Sequence, residues 1–380
     1  MRVYCRMEMG RAQRIKGLTR KLIFSVVTLL LLLGSFEIGA RLLPPERSSY
    51  PEATPYVEDP VLGHVGRPNY VGWFETPEIG RIQVEQNAQG FRDHVDYGPK
   101  RPEVFRILGL GDSFTWGDAC PYEDSYLRVA EKTLQGKSSE SVEIVKAGFQ
   151  AYTTGQELLF LKTRGRALQP DLITIGFLAN DLISAYPLTE DGTALARPPD
   201  NHLRFFDPPL WMRPVYFLRD KSEFYQRLRR LLYKNDSFYT WVFLKRFDRN
   251  TYISKEWSPG YVDQLAVTRR LLEQLVAEAD DLGAPLLLIY IPQRFQILVG
   301  QSAKLSSRYQ ADKINREMRA LCIELGIDYL DTYPELLAAS KVEPVFYPVD
   351  GHLNPRGYRL VGELLGATLP SGRPRAFIHT

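Results

Sequence analysis

Val104-Phe105-Arg106-Ile107-Leu108-Gly109-Leu110-Gly111-Asp112-Ser113 decides how the rest of the chain is read. Its first seven residues form a short, almost continuous apolar run, as expected of a strand covered on both faces. Gly111 then lets the chain turn sharply, so Ser113 falls just beyond the carboxyl end of that strand. Similar runs recur at Val142-Glu143-Ile144-Val145, Leu172-Ile173-Thr174-Ile175, Leu286 to Ile291 and Ile327-Asp328-Tyr329-Leu330. Helix-period stretches lie between them, at 125–134, 155–164, 262–282 and 309–325. A last helix is expected at 354–369, with Asn354 as its cap and Pro355 at its first position. Strands alternating with helices spell an α/β chain whose parallel sheet is covered on both sides.

Upstream, composition divides the chain. The first 21 residues carry seven basic side chains and one acid, Glu8. Leu22 to Ala40 is an apolar stretch of 19 residues, close to the length that crosses a hydrocarbon core. Positive charge ahead of such a span keeps that end in the cytoplasm and sends the remainder outward. Glu37 and Arg41, one helical turn apart, are placed to pair near the far boundary. A cleaved signal is the alternative, but Ile38 occupies the first position of the small-x-small site it would need. The organisation expected is a basic cytoplasmic leader over 1–21, an anchor or uncleaved signal over 22–43, a linker over 44–55 and a small β-rich preface over 56–100. The α/β domain follows over 101–370, with an insert at 185–260.

The whole chain has a formal charge of +3, yet without the leader 41 basic residues face 44 acidic ones. A nucleic-acid partner is therefore not expected. Three cysteines without Cys-x-x-Cys, and the absence of His-Glu-x-x-His, P-loop and Gly-x-Gly-x-x-Gly patterns, give no anchor for a metal or a cofactor. Cys120 and Cys322 fall at opposite edges of the expected sheet, too far apart to bridge.

Leu203 to Arg249 breaks the alternation. Thirteen aromatics and eleven Lys or Arg residues against five acids crowd into this stretch. Three readings stand: a helical subdomain packing aromatics onto the sheet, a cover over the site, or a surface lying on a membrane.

In an open parallel sheet, ligands gather beyond the carboxyl ends of the strands, where Ser113 is expected. A serine hydroxyl needs a base. His352, in Val349-Asp350-Gly351-His352-Leu353-Asn354-Pro355, has Asp350 two residues away to hold one ring nitrogen and free the other. His64, His94, His202 and His379 lack such a companion in a comparable loop context.

These blocks resemble the SGNH, or GDSL, hydrolase family. Gly111-Asp112-Ser113 with Phe114-Thr115-Trp116-Gly117 matches its first block, and Val145 to Thr153 corresponds to its second. There Ala151 stands where the family places the glycine whose N–H enters the oxyanion hole. Leu178-Ala179-Asn180-Asp181 matches Gly-x-Asn-Asp, with Leu178 for the glycine and Asn180 retained. The plainest members space the acid as Asp-x-x-His, which would fall on Val349. This chain has Asp-x-His, as do some membrane-linked relatives that include alginate-acetylating ones.

The resemblance covers about residues 104–369 and implies a three-layer, flavodoxin-like α/β/α fold. It further implies catalysis by Ser113, His352 and Asp350, with an oxyanion hole from the N–H groups of Ser113 and Ala151 and the Asn180 amide. Asp112 is assigned no chemistry beyond shaping its turn. No cofactor and no metal is expected. The function implied is extracytoplasmic hydrolysis of O-acyl, foremost O-acetyl, esters on envelope or extracellular glycans. With a hydroxyl acceptor the same site becomes an O-acetyltransferase. The aromatic, basic insert fits a lipid-directed acylhydrolase, and Ala151 with Leu178 keeps a non-catalytic glycan-binding scaffold open.

Overall fold

A computed structural model describes residues 2–43, 54–76, 78–183, 221–245 and 251–369. Two compact units divide them: 2–43 with 221–232, and 54–183 with 233–369.

The first unit is built on one long helix, Arg2–Arg41. Its Thr19–Arg41 portion, 23 residues that include an 18-residue window with a mean hydropathy of 2.2, is long and apolar enough to cross a membrane. A signal sequence near the N-terminus can also be this long and apolar. Glu37 pairs with Arg41 at 2.7 Å. It also accepts hydrogen bonds from the Ser222 hydroxyl and from the N–H groups of Glu223 and Phe224, at 2.7, 3.2 and 3.1 Å. A carboxylate distant in sequence thus caps the helix that begins at Glu223.

The second unit centres on five parallel strands: β5 (Val104–Gly111), β6 (Ser141–Gly148), β7 (Leu172–Phe177), β8 (Leu286–Tyr290) and β9 (Asp328–Asp331). Their order, β6-β5-β7-β8-β9, is the flavodoxin-like order. Every residue of β5, β7 and β8 is buried, which explains their largely apolar character, broken by Arg106 and Thr174. The helices Tyr126–Gln135 and Pro355–Thr368 pack together, while Pro259–Leu282 packs with Thr154–Phe160 and Lys313–Leu325. Asn354 accepts from the Gly357 N–H at 3.0 Å and Pro355 opens the helix.

Two helices depart from expectation. The stretch 155–164 is α-helical only over Thr154–Phe160 and continues as a π-helical turn, Leu161–Gly165. The stretch 309–325 becomes helical only at Lys313. Tyr309 bridges to Ser254, and the Gln310 N–H donates to the Ile253 carbonyl at 2.7 Å, so this backbone is committed to a neighbour.

Ahead of the sheet, β1 (Tyr56–Asp59) pairs with β2 (Gly63–Gly66), and β3 (Val71–Thr76) with β4 (Gly80–Glu85), both antiparallel. In the aromatic stretch, 203–220 and 246–249 lie outside the described residues, as do His202 and His379. Asp236–Lys245 is a helix whose Phe243 ring stacks between Tyr239 and Phe295, at 4.4 and 5.6 Å. Cys120 and Cys322 are free, buried thiols.

Candidate active site

β5 delivers Ser113. At the end of this strand Gly111 has φ 153°, and a Cβ there would lie 2.0 Å from the Thr115 hydroxyl. Gly148, opposite it on β6, would bring a Cβ within 2.5 Å of the Trp116 nitrogen. The two glycines let the helical turn Ser113–Trp116 settle onto the strand ends. Asp112 caps that turn, its carboxylate accepting the Phe114 N–H at 2.9 Å.

His352 arrives from a loop 239 positions later, and its Nε2 stands 2.9 Å from the Ser113 Oγ. The loop is closed on itself by hydrogen bonds from the Tyr347 N–H to the His352 carbonyl and from the Gly351 N–H to the Tyr347 carbonyl, at 2.9 and 3.1 Å. One carboxylate oxygen of Asp350 lies 2.5 Å from Nδ1 and accepts the His352 backbone N–H at 3.1 Å. With the ring neutral, Nδ1 donating to the carboxylate leaves Nε2 with its lone pair facing the serine hydroxyl. Burial alone would lower the His352 pKa. Asp350, followed by Asp118 and Asp112, outweighs it and holds the imidazole up to about 9. Burial pushes the Asp112 carboxyl up to about 6, against the Phe114 N–H, His352 and Asn180.

Strands β6 and β7 flank β5, so the segments following them meet the serine from either side. After β7, the Asn180 amide nitrogen lies 3.4 Å from the second Asp112 oxygen. Its carbonyl accepts from the Gln293 amide at 2.8 Å, and Gln293 in turn accepts the Tyr252 hydroxyl at 2.9 Å. This chain fixes which end of the Asn180 amide presents N–H. Leu178 has no left-handed φ, so nothing in its backbone requires glycine. Its N–H donates to Asp181 at 2.7 Å.

After β6, Ala151 holds φ 60°, the left-handed region that favours glycine. The backbone thus keeps the form a glycine would take. Among the described residues, neither the Ser113 N–H nor the Ala151 N–H meets an acceptor within the chain. The side chain of neighbouring Gln150 donates to Asp118 at 2.6 Å.

All five residues singled out from sequence therefore sit on segments that gather at the carboxyl ends of β5, β6 and β7 or on the loop that meets them. Sequence reading missed Gln293, Asp118 and Gln150. Gln293 had a faint signal, since it follows the expected strand 286–291 at its carboxyl end. His94 also has a companion hidden in the sequence: its Nδ1 meets Glu85 at 3.0 Å across the preface. Among the described residues no group of three His, Cys, Asp or Glu side chains is arranged to hold a metal.

Such an arrangement can move the serine proton to the imidazole, hold the imidazolium with a carboxylate and offer N–H groups to a developing oxyanion. No curated protein matches the sequence. Similar solved structures include Axe2, an acetylxylan esterase from Geobacillus stearothermophilus, at 14% identity, covering 71% of this chain and 97% of that one with a TM-score of 0.38. The lipase Lip_vut3 from a goat rumen metagenome is 15% identical, covering 71% of this chain and 99% of that one with a TM-score of 0.41. Neither likeness says what this chain acts on. The profile of the GDSL-like Lipase/Acylhydrolase family matches residues 110–360, a span that holds Ser113, Ala151, Asn180, Asp350 and His352. The chain belongs to this GDSL-like lipase/acylhydrolase family, serine hydrolases that act on ester bonds.

Proposed function

We propose that Ser113 is the nucleophile of an esterase that removes small O-acyl groups, foremost O-acetyl, from glycans outside the cytoplasm. The 2.9 Å approach of Ser113 Oγ to His352 Nε2 carries this reading. His352 takes the serine proton as Oγ attacks the ester carbonyl, and Asp350 holds the imidazolium that results. The N–H groups of Ser113 and Ala151 and the Asn180 amide stabilise the tetrahedral oxyanion. The imidazolium then protonates the departing alkoxide, and water, activated by His352, releases the acyl group from Ser113.

Polar groups beside the nucleophile support a hydroxyl-rich leaving group: Asn180 tied to Gln293, and Asp118 tied to Gln150. Seven basic residues ahead of the apolar stretch 22–40 support an outward-facing domain held by that stretch. The Asp-x-His spacing keeps transfer to a sugar hydroxyl as the second reading of the same site.

The test is release of acetate from an O-acetylated polysaccharide by the full chain, set against p-nitrophenyl esters of increasing chain length. Acetate release that depends on Ser113, with acetyl esters preferred, supports the reading. A preference for long acyl chains, or acetyl moved to an added sugar acceptor in place of water, overturns it.

A further inference from the structure

Residues 54–97 precede the 110–360 family match, yet three of their side chains end on the three segments that meet at Ser113. Arg92 donates to the carbonyls of Trp116 and Cys120 at 3.1 and 2.5 Å, and also to the Gly117 carbonyl, closing the far end of the nucleophile turn. Its guanidinium lies 4.6 Å from the centre of the Trp116 ring. His64, on β2, sets Nε2 2.9 Å from the Gln150 carbonyl. Its own carbonyl accepts the Tyr152 hydroxyl at 2.6 Å, so the two contacts grip Ala151 from either side. Glu78, between β3 and β4, accepts the N–H groups of Val349 and Asp350, one on each carboxylate oxygen, both at 3.0 Å.

Each grip falls where the backbone needs holding. An alanine in the left-handed region costs about 1–2 kcal/mol, so Ala151 keeps its conformation only if its surroundings impose it. Asp350 sits beside Gly351, whose φ of 89° makes a turn free to hinge unless its N–H groups are tied.

We propose that His64, Glu78 and Arg92 are positioning residues, and that the N-terminal hairpins brace the oxyanion donor of Ala151 and the carboxylate of Asp350 against the Ser113 turn. The proposal rests on the Ser113–His352–Asp350 reading above. A displacement of about 1 Å in such a constellation costs on the order of 10²-fold in rate.

The experiment uses the full chain with Glu78→Ala, Glu78→Gln and His64→Ala, and with Glu75→Gln as the control, since the Glu75 carboxylate meets Arg81 on the hairpin's exposed side. Turnover of p-nitrophenyl acetate, its pH profile, fluorophosphonate labelling and Tm are measured for each. Glu78→Ala is expected to lower kcat about 10- to 100-fold with KM little changed. Its rising pH limb should move to lower pH, because Asp350, Asp118 and Asp112 all face His352 and only Asp350 is loosened. Glu78→Gln, which keeps one acceptor, should lie between. His64→Ala should lower kcat by a similar factor and leave the pH limb in place, because it acts on the oxyanion side. Glu75→Gln should match the wild type.

The brace is overturned if the wild type labels at Ser113 while Glu78→Ala and His64→Ala match its kcat and pH limb. It is equally overturned if their losses vanish once activity is scaled to the folded fraction. Should the wild type itself fail to label at Ser113, the underlying reading fails first and the brace falls with it.

Discussion

The Oγ of Ser113 and the Nε2 of His352 lie 2.9 Å apart, and the opposite ring nitrogen of His352 lies 2.5 Å from Asp350. Three nearby carboxylates hold this imidazole up to about 9, so it carries a proton at neutral pH in the free protein. A general base must be neutral to accept the serine proton. The value of kcat/KM is therefore expected to rise with pH along a limb near 9. Asp350→Asn should move that limb down toward the ordinary histidine value and lower kcat by about 10³–10⁴-fold.

The same shift has a consequence for stability. The folded pKa of His352 lies above its unfolded value of 6.5, so the stability it adds is fully present below pH 6.5 and is lost as pH rises through about 9. Urea unfolding from pH 6 to 10 should show that loss in the wild type. Asp350→Asn should show a smaller one.

Asn180 presents its N–H end because Gln293 occupies its carbonyl. Asn180→Ala is expected to reduce kcat about 10²–10³-fold. Gln293→Leu should cost about 10-fold, by letting the amide turn. Steady-state kinetics on p-nitrophenyl acetate measure both, with KM moving little.

Ala151 should tolerate glycine better than alanine. At φ 60°, Ala151→Gly removes steric strain and is expected to stabilise the protein by about 1 kcal/mol with kcat within about twofold. Chemical denaturation checks this, and a destabilised variant would contradict the left-handed backbone.

Lys146 on β6 and Asp93 in the preface form a buried pair at 2.6 Å. Asp93 also accepts the hydroxyls of Tyr97 and Tyr122, at 2.5 and 2.7 Å. Burial pushes the Asp93 carboxyl up, but Lys146 and the hydroxyls prevail and hold it below its ordinary value. Its contribution to stability is present above the ordinary carboxylate range and is lost as pH falls through the lowered pKa. Lys146→Met leaves the carboxylate buried without its cation and should cost about 3–5 kcal/mol.

The parallel sheet was legible because its central strands are buried on both faces, so runs such as 104–110 and 172–175 are apolar apart from Arg106 and Thr174. Ser113 and His352 were legible because a strand end and a capped helix flank them. Gln293, Asp118 and Gln150 were not, since they matter only through partners that folding brings from elsewhere in the chain. The same holds for Glu78 and His64. Each touches a loop of the candidate site 271 or 86 positions away, a pairing no local pattern encodes. The late start of the helix at Lys313 was hidden for the same reason: Gln310 has its hydrogen bond to Ile253 in a distant segment.

The most direct test is covalent labelling of the full chain with a fluorophosphonate, the adduct located by mass spectrometry of peptides. The account predicts a single adduct on Ser113, formed far more slowly in His352→Ala and absent in Ser113→Ala, with esterase activity lost in parallel. An adduct on another residue, or a Ser113→Ala protein that still cleaves acetyl esters at the wild-type rate, would contradict it.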